Sequence, residues 1–391
     1  MIRKIYKSIQ KDAVLSVSVI LAILSVFLIK PDKSYLSYID FRTLSLLFCL
    51  MTIVAGLSEM GIFDLIAENI LSKAGRTESV VTLLILLCFF FSMLITNDVA
   101  LITFVPLALI ILHKFPDTLK QYWLLRVVAM QTIAANLGSM LTPIGNPQNL
   151  FLYAKADISA LALIRLMLPY SAAALILLLI WIRIASFRAP RLKTDETAYF
   201  SFSVSYKNQH SLRKGSLAAY LLLFSACLLT VVRILDFRIS LLLVILYVGF
   251  RDRELFHRVD YSLLVTFTAL FIFIGNLARI TRFSHFLGSI INGHEILTAI
   301  LASQIMSNVP AAVLLSGFTE DYCSLIIGTD IGGLGTLIAS MASLISFKCI
   351  SKEYPDLRGK YFLVFTVSNL IFLALMILIF LLQKMMLLRV F

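Results

Sequence analysis

The sequence predicts an all-α membrane protein built as two inverted repeats, and three observations carry that prediction. Of its 391 residues 60% are hydrophobic and only 14% charged, with a mean hydropathy of +0.94, whereas soluble domains carry about 25% charged residues. Apolar runs long enough to cross a bilayer recur along the whole chain. The same polar interruptions of those runs appear in both halves, in the same order.

A helix needs about 20 apolar residues to cross the hydrocarbon, with wide tolerance. Runs that meet this lie at 13–29, 41–57, 160–184, 215–234, 237–250, 261–277 and 361–384. Polar or Gly/Pro-rich sequence interrupts three further apolar regions, 79–155, 295–318 and 321–350. The first run is too long, and lacks the small-residue cleavage site, for a signal peptide. It reads as a retained helix.

The net charge of +12 is clustered in short segments between apolar runs. That argues against a nucleic-acid surface and for a topology signal. The clusters are Arg3, Lys4, Lys7 and Lys11; Arg188 through Lys214; Arg251, Arg253 and Arg258; and Lys348 through Lys360. If all four are cytoplasmic, an even number of crossings must separate neighbours. The parity closes when 122–155 and 321–350 each cross once as broken helices, while 79–112 and 295–318 enter and return on one side. The prediction is about nine crossings, two re-entrant hairpins (79–112 and 295–318) and two broken helices. The N-terminus is expected in the cytoplasm, and segment 186–214 is a cytoplasmic connector between repeats at 1–185 and 215–391.

Repeats decide architecture and are sought early. Asp40-Phe41 precedes a span in the first half, and Asp260-Tyr261 does so in the second. Amphipathic stretches follow at 62–71 and 280–290. Then come Thr96-Asn97 with Pro106, and Ser307-Asn308 with Pro310. Further on, Asn136 through Ser139 aligns with Asp330 through Gly333, and without a gap Thr142 meets Thr336 and Asn146 meets Ser340. Equivalent spans run in opposite directions: 13–29 goes outward and 237–250 inward. Inverted repeats with discontinuous helices place substrate and ion sites near the midplane.

The interruptions carry the chemistry. In Thr142-Pro143-Ile144-Gly145-Asn146-Pro147-Gln148-Asn149 each proline removes an amide donor and breaks the helical ladder. Gly138 and Gly145 are expected to permit unwinding. Thr142, Asn146 and Asn149 add neutral oxygens and amides. The second crossover is expected at 328–336, unwound by its glycines, with Asp330 inside it and Thr336 and Ser340 following. Thr96-Asn97-Asp98 and Ser307-Asn308 fit hairpin tips reaching mid-bilayer, although Ser, Thr and Asn also serve as plain glue between helices. Asp98 and Asp330 are the only acidic residues deep in these elements. A charge at the bilayer centre costs at least about 2.5–3.5 kcal/mol, so each is a candidate cation ligand or proton carrier. The bland alternative is a structural partner for Arg126. Freed carbonyls suit a cation, and half-helix N-termini suit an anion.

Enzyme chemistry finds little support. His294-Glu295 lacks the second histidine of a metalloprotease motif, no phosphate loop is present, and the five histidines are scattered. The five cysteines have no metal-ligand spacing and read as small buried hydrophobes.

At these residues the chain resembles the ion transporter superfamily, which includes sodium/dicarboxylate symporters, citrate–metal symporters, arsenite permeases and one branch of Na+/H+ antiporters. The resemblance rests on Thr96 through Pro106 with Pro143 through Asn149, and on Ser307 through Pro310 with Gly328 through Gly332. It implies two cation sites made by hairpin tips and crossovers with an anion between them, an elevator motion, and a homodimer. Dicarboxylate symporters carry Ser-Asn-Thr at both tips. Here the tips read Thr-Asn-Asp and Ser-Asn-Val. The first tip and the Gly328-Thr329-Asp330 run look more like arsenite permeases, while Asn146-Pro147-Gln148-Asn149 is closer to a broader group of anion permeases.

The expected function is therefore a secondary transporter of an anion, a carboxylate or oxyanion, across the cytoplasmic membrane, coupled to Na+ or H+ and needing no other cofactor. A Na+/H+ antiporter of the same fold and an arsenite efflux permease are the alternatives. The expected binding residues are Thr96, Asn97, Asp98, Asn136, Thr142, Gly145, Asn146 and Asn149 from the first half, and Ser307, Asn308, Asp330, Thr336 and Ser340 from the second. Na+ would sit at Asn97 and Asn308 with crossover carbonyls. The partners expected are a small anion and the lipid bilayer, with no nucleic acid.

Overall fold

The computed structural model describes residues 13–71, 76–190 and 214–390. The cationic N-terminal segment and most of the expected connector, 191–213, lie outside the described residues. All regular structure among the described residues is helical. In chain order the helices are α1 (Ala13–Leu28), α2 (Phe41–Glu59), α3 (Ile62–Leu71), α4 (Thr77–Ile95), α5 (Asn97–His113), α6 (Asp117–Ser139), α7 (Pro147–Ala156), α8 (Ala160–Arg188), α9 (Lys214–Val231), α10 (Phe237–Arg251), α11 (Tyr261–Ala278), α12 (Thr281–Ile291), α13 (Glu295–Met306), α14 (Asn308–Leu315), α15 (Tyr322–Gly332), α16 (Met341–Glu353) and α17 (Arg358–Val390).

Among the described residues five segments are long and apolar enough to cross a membrane: Phe41–Glu59, Thr77–Ile95, Ala160–Arg188, Tyr261–Ala278 and Pro355–Met385. Shorter apolar helices accompany them at Val14–Leu28, Asn97–His113 and Ser216–Val231. Helices α12 and α13 bend by 108° across their short break. Many large apolar side chains stay exposed, such as Phe27, Phe187, Phe250 and Ile305. That is the surface of a multi-pass membrane protein, since lipid and not water is its solvent.

The chain forms two compact units, each drawn from three stretches. Unit 1 comprises residues 1–56, 147–162 and 213–333, and unit 2 comprises 57–146, 163–212 and 334–391. The chain changes unit at Asn146/Pro147 and at Gly333/Leu334, inside the two helix breaks.

In unit 2, α4 packs on α5 and α6, while α16 packs on α5 and α6 and α17 on α6 and α16. Gln131, fully buried on α6, donates its amide to the carbonyls of Leu84 and Phe104 and so ties α6 to both neighbours. In unit 1, α13 packs on α14 and α15, α7 packs on α14 and α15, and α11 packs on α1 and α14. Asn276 of α11 donates to Ser25 Oγ at 3.0 Å and to Tyr35 OH at 2.8 Å. Arg279 pairs with Asp32 at 2.8 Å. Hydrogen bonds from Ser34 and Arg279 hold the Asp32 carboxyl below the usual carboxylate range. Helices α2 and α9 meet at Gly56 against the Tyr220 ring and at Arg42, which donates to the Thr230 carbonyl at 3.0 Å.

Two expectations about glycine need correction. Gly138 does not unwind α6, and Gly328 and Gly332 do not unwind α15, because all three lie inside helices. Their role is close approach. A Cβ at Gly138 would overlap the Phe89 carbonyl oxygen and come within 2.6 Å of Ser92 Oγ, and one at Gly332 would come within 2.8 Å of Ser303 Oγ. A Cβ at Gly328 would meet Ala299 and the Ile296 carbonyl at 2.7 Å. The missing side chains let α6 and α15 seat against α4 and α13, and that packing outweighs the roughly 1 kcal/mol that glycine costs in a helix. The second break accordingly starts at Gly333, where the chain leaves α15, and Gly335 takes a φ of +106° within it.

Overpacking a filled core typically costs about 1–3 kcal/mol. Gly138→Ala and Gly332→Ala are each expected to lower the thermal unfolding midpoint in detergent. Gly359→Ala, with nothing within 4 Å of its added carbon, is expected to leave it unchanged or raise it.

Candidate functional site

The expected site residues gather at the two single-residue breaks between α4 and α5 and between α13 and α14, and at the two longer breaks that follow. At the first tip Thr96 has φ 74° and ψ 151°; at the second Ser307 has φ 77° and ψ 153°. Both fall in a backbone region essentially reserved for glycine, where other residues carry strain of about 1–3 kcal/mol. The residue that follows repairs the turn identically in both. Asn97 Oδ1 accepts from the Asp98 amide at 2.9 Å, and Asn308 Oδ1 accepts from the Val309 amide at 3.0 Å.

In unit 2 the first tip docks on the first crossover. The Asn97 amide donates to the Gly145 carbonyl at 3.0 Å, so the first orphan donor of α5 is satisfied by unwound backbone. Asn97 Nδ2 donates to Asn136 Oδ1 at 3.1 Å, and Ser340 Oγ donates to the same oxygen at 3.0 Å. Ser340 also caps α16 by accepting from the Ala342 amide. Asn146 Nδ2 donates to Ser139 Oγ at 3.3 Å, and the Thr142 hydroxyl donates to the Met93 carbonyl. Gly145 is buried, with the Ser139 carbonyl where a Cβ would stand.

In unit 1 the second tip, α15 and α7 come together. Asp330, 2% exposed, lies in the last turn of α15 and not in the unwound segment. Gln148 Nε2 donates to Asp330 Oδ1 at 3.4 Å. Asn149 is fully buried one residue further along α7. Asn308 Nδ2 would stand 3.0 Å from a Cβ at Gly333. Gln304 Nε2 donates to the Gly332 carbonyl at 2.9 Å.

The expected residues are thus all placed, but not in the groups the two halves of the sequence suggest. Asn149 falls with Asp330 and Asn308, while Ser340 falls with Asn97 and Asn136. The reason is topological: each crossover hands its second half-helix to the other unit. Thr336 is exposed on the second crossover, and Asp98 is half-buried. Among the described residues Arg126 pairs with no carboxylate. It donates to its own Tyr122 carbonyl and stacks 4.2 Å above that ring.

Sequence reasoning missed Gln148 and Gln304. Both sit beside selected residues, but a glutamine in an apolar run carries no sign of which carbonyl or carboxylate it reaches. Gln148 is 1% exposed, and its Oε1 is buried without a hydrogen-bond partner.

Each unit offers the same set of helix ends. Unit 2 joins the N-termini of α5 and α16 to the C-terminus of α6, and unit 1 joins the N-termini of α14 and α7 to the C-terminus of α15. N-termini favour anions and C-terminal carbonyls favour cations. Among the described residues no three His, Cys, Asp or Glu side chains stand where they could hold a metal ion together.

Buried broken helices with paired polar tips in an apolar multi-pass chain define a membrane transporter. The chain belongs to the citrate transporter family, whose model matches residues 5–320. It acts as a secondary transporter and not as an enzyme, in a family named for an anion. An uncharacterized transporter of Methanocaldococcus jannaschii is 34% identical over 334 residues, 85% of this chain and 87% of the relative. The inner membrane protein YbiR of Escherichia coli is 29% identical over 353 residues, 88% and 89% of the two chains. The human P protein is 30% identical over 146 residues, 37% of this chain and 17% of its own length.

Replacing either strained tip residue by glycine separates stability from function. Thr96→Gly and Ser307→Gly are expected to raise the unfolding midpoint by about 1–3 °C while lowering transport. A fall in midpoint for both would show that the tips are unstrained.

Proposed function

We propose that the chain moves an organic or inorganic anion across the cytoplasmic membrane, coupled to Na+ or H+, by an elevator-type exchange of access. The observation that carries this reading is the twofold tip: Thr96-Asn97 and Ser307-Asn308 share backbone angles and capping, both asparagines are buried, and each tip leads a helix N-terminus into a buried polar cluster. Two such tips, entering from opposite faces of an inverted repeat, give each side of the membrane one gate. The repeats span 1–185 and 215–391, with about nine crossings and the N-terminus in the cytoplasm. The matched close approaches of Gly138 on Ser92 and Gly332 on Ser303 support the repeat.

In this reading the amides and hydroxyls of Asn97 and Thr142 in unit 2, or of Asn308 in unit 1, meet the anion. Asp98 and Asp330 serve the coupling ion, with Na+ held by Asn97 or Asn308 and the crossover carbonyls. Citrate is the first candidate substrate, from the family's name, and a homodimer is the expected assembly. A Na+/H+ antiporter is the second reading, favoured by the buried Asp330 carboxylate.

Proteoliposome uptake distinguishes them. Radiolabelled citrate, smaller carboxylates and arsenite are offered with an inward Na+ gradient, a pH gradient, or neither. Gradient-dependent uptake of one anion is expected, reduced at least about tenfold, roughly 1.4 kcal/mol, by Asn97→Ala or Asn308→Ala. Sodium flux without any anion, abolished by Asp330→Asn, would instead support the antiporter. A steady single-channel current would contradict both.

A further inference from the structure

We propose that unit 1 carries a second small-molecule site, for an organic monoanion with a flat apolar body, in the cavity beside Lys155. The cavity measures about 870 Å³ and is walled by Phe151 and Lys155 of α7, Phe271 and Ile274 of α11, and Tyr322 of α15. Ligand pockets typically occupy about 300–1,000 Å³. None of the residues in the two polar clusters lines it, so it is separate from them whichever anion they carry.

Lys155 supplies the charge. An ammonium has three donors and no acceptor. Here the residue is exposed, lines the cavity, and makes one long hydrogen bond, to the Ser316 carbonyl at 3.3 Å. The faces of Phe151 at 5.6 Å and Tyr322 at 5.7 Å flank it, and the Asp40 carboxylate acts on it through its charge. An ammonium flanked by ring faces, with donors left over in a cavity, can take an anionic oxygen, whose charge-assisted bonds are the strong ones. The rings of Phe151, Phe271 and Tyr322 offer surfaces on which a planar apolar body stacks.

Two carboxylates share the cavity and set its selectivity. Asp40 is committed elsewhere: Oδ1 accepts from the Thr43 amide at 3.0 Å and Oδ2 from the Thr43 hydroxyl at 2.5 Å. Glu320 is exposed. Their charges repel a second negative group, so the site takes a single carboxylate and turns away a polyanion such as citrate.

The test uses the purified full chain in nanodiscs, with 1-naphthoate, the uncharged 1-naphthalenemethanol and the cationic 1-naphthylmethylammonium as calorimetric probes. Naphthoate is expected to bind at least about tenfold more tightly than the alcohol. Lys155→Met removes that preference, and Lys155→Arg keeps most of it. Excess citrate leaves naphthoate bound. Should Lys155→Met fail to fold, Lys155→Gln makes the same comparison. Equal naphthoate binding with and without the lysine charge overturns the site, as does displacement by citrate, or tighter binding of the ammonium probe. None of these readouts needs transport, so the outcome stands apart from that of the uptake experiment.

Discussion

Backbone that leaves a helix inside an apolar protein must find hydrogen-bond partners, and the rest of this structure depends on how that demand is met. An unsatisfied backbone group in a water-free environment costs several kcal/mol. At the first crossover the solution is the bond from the Asn97 amide to the Gly145 carbonyl. One orphan donor at a helix start satisfies one orphan acceptor in an unwound loop. The tip and the crossover therefore need each other, and neither is stable in place alone. Asn136 adds a second tie by accepting from both Asn97 and Ser340. Net worth per such bond is about 0.5–1.5 kcal/mol, but losing one partner in a buried network exposes the full desolvation penalty of the other.

The same constraint explains why the polar residues are amides and hydroxyls. Asn, Gln, Ser and Thr can partner backbone while leaving a lone pair or an N–H for something else. The helix ends they decorate carry opposite partial charges, so one buried cluster offers donors to an anion and carbonyls to a cation without placing full charges in the core. The two carboxylates, Asp98 and Asp330, are exceptions: Asp98 is half-buried at the start of α5, and Asp330 is buried in the last turn of α15.

Much of this was legible in the sequence. Composition and run length predicted the helical class and nearly every helix, and the helix breaks at Thr96, Ser307 and Pro143 through Asn146 fell where polar or proline residues interrupt apolar runs. Glycine was misread at Gly138, Gly328 and Gly332, because the same residue serves unwinding and close packing, and only the neighbour across the interface distinguishes them. The grouping of site residues was also out of reach. Asn149 and Ser340 change partners because the chain changes unit within each crossover, a fact of tertiary topology that leaves no local trace. Gln148 escaped notice because its target, Asp330, lies 182 residues away.

Sidedness tests the account most directly. Single cysteines placed at Thr96 and at Ser307 in a cysteine-free chain can be titrated with a membrane-impermeant thiol reagent in right-side-out and inside-out vesicles. The account predicts that the first tip is reached from the cytoplasmic face and the second from the opposite face, each more slowly than a loop residue. Labelling of both from one face, or at the speed of a fully exposed loop, would contradict it.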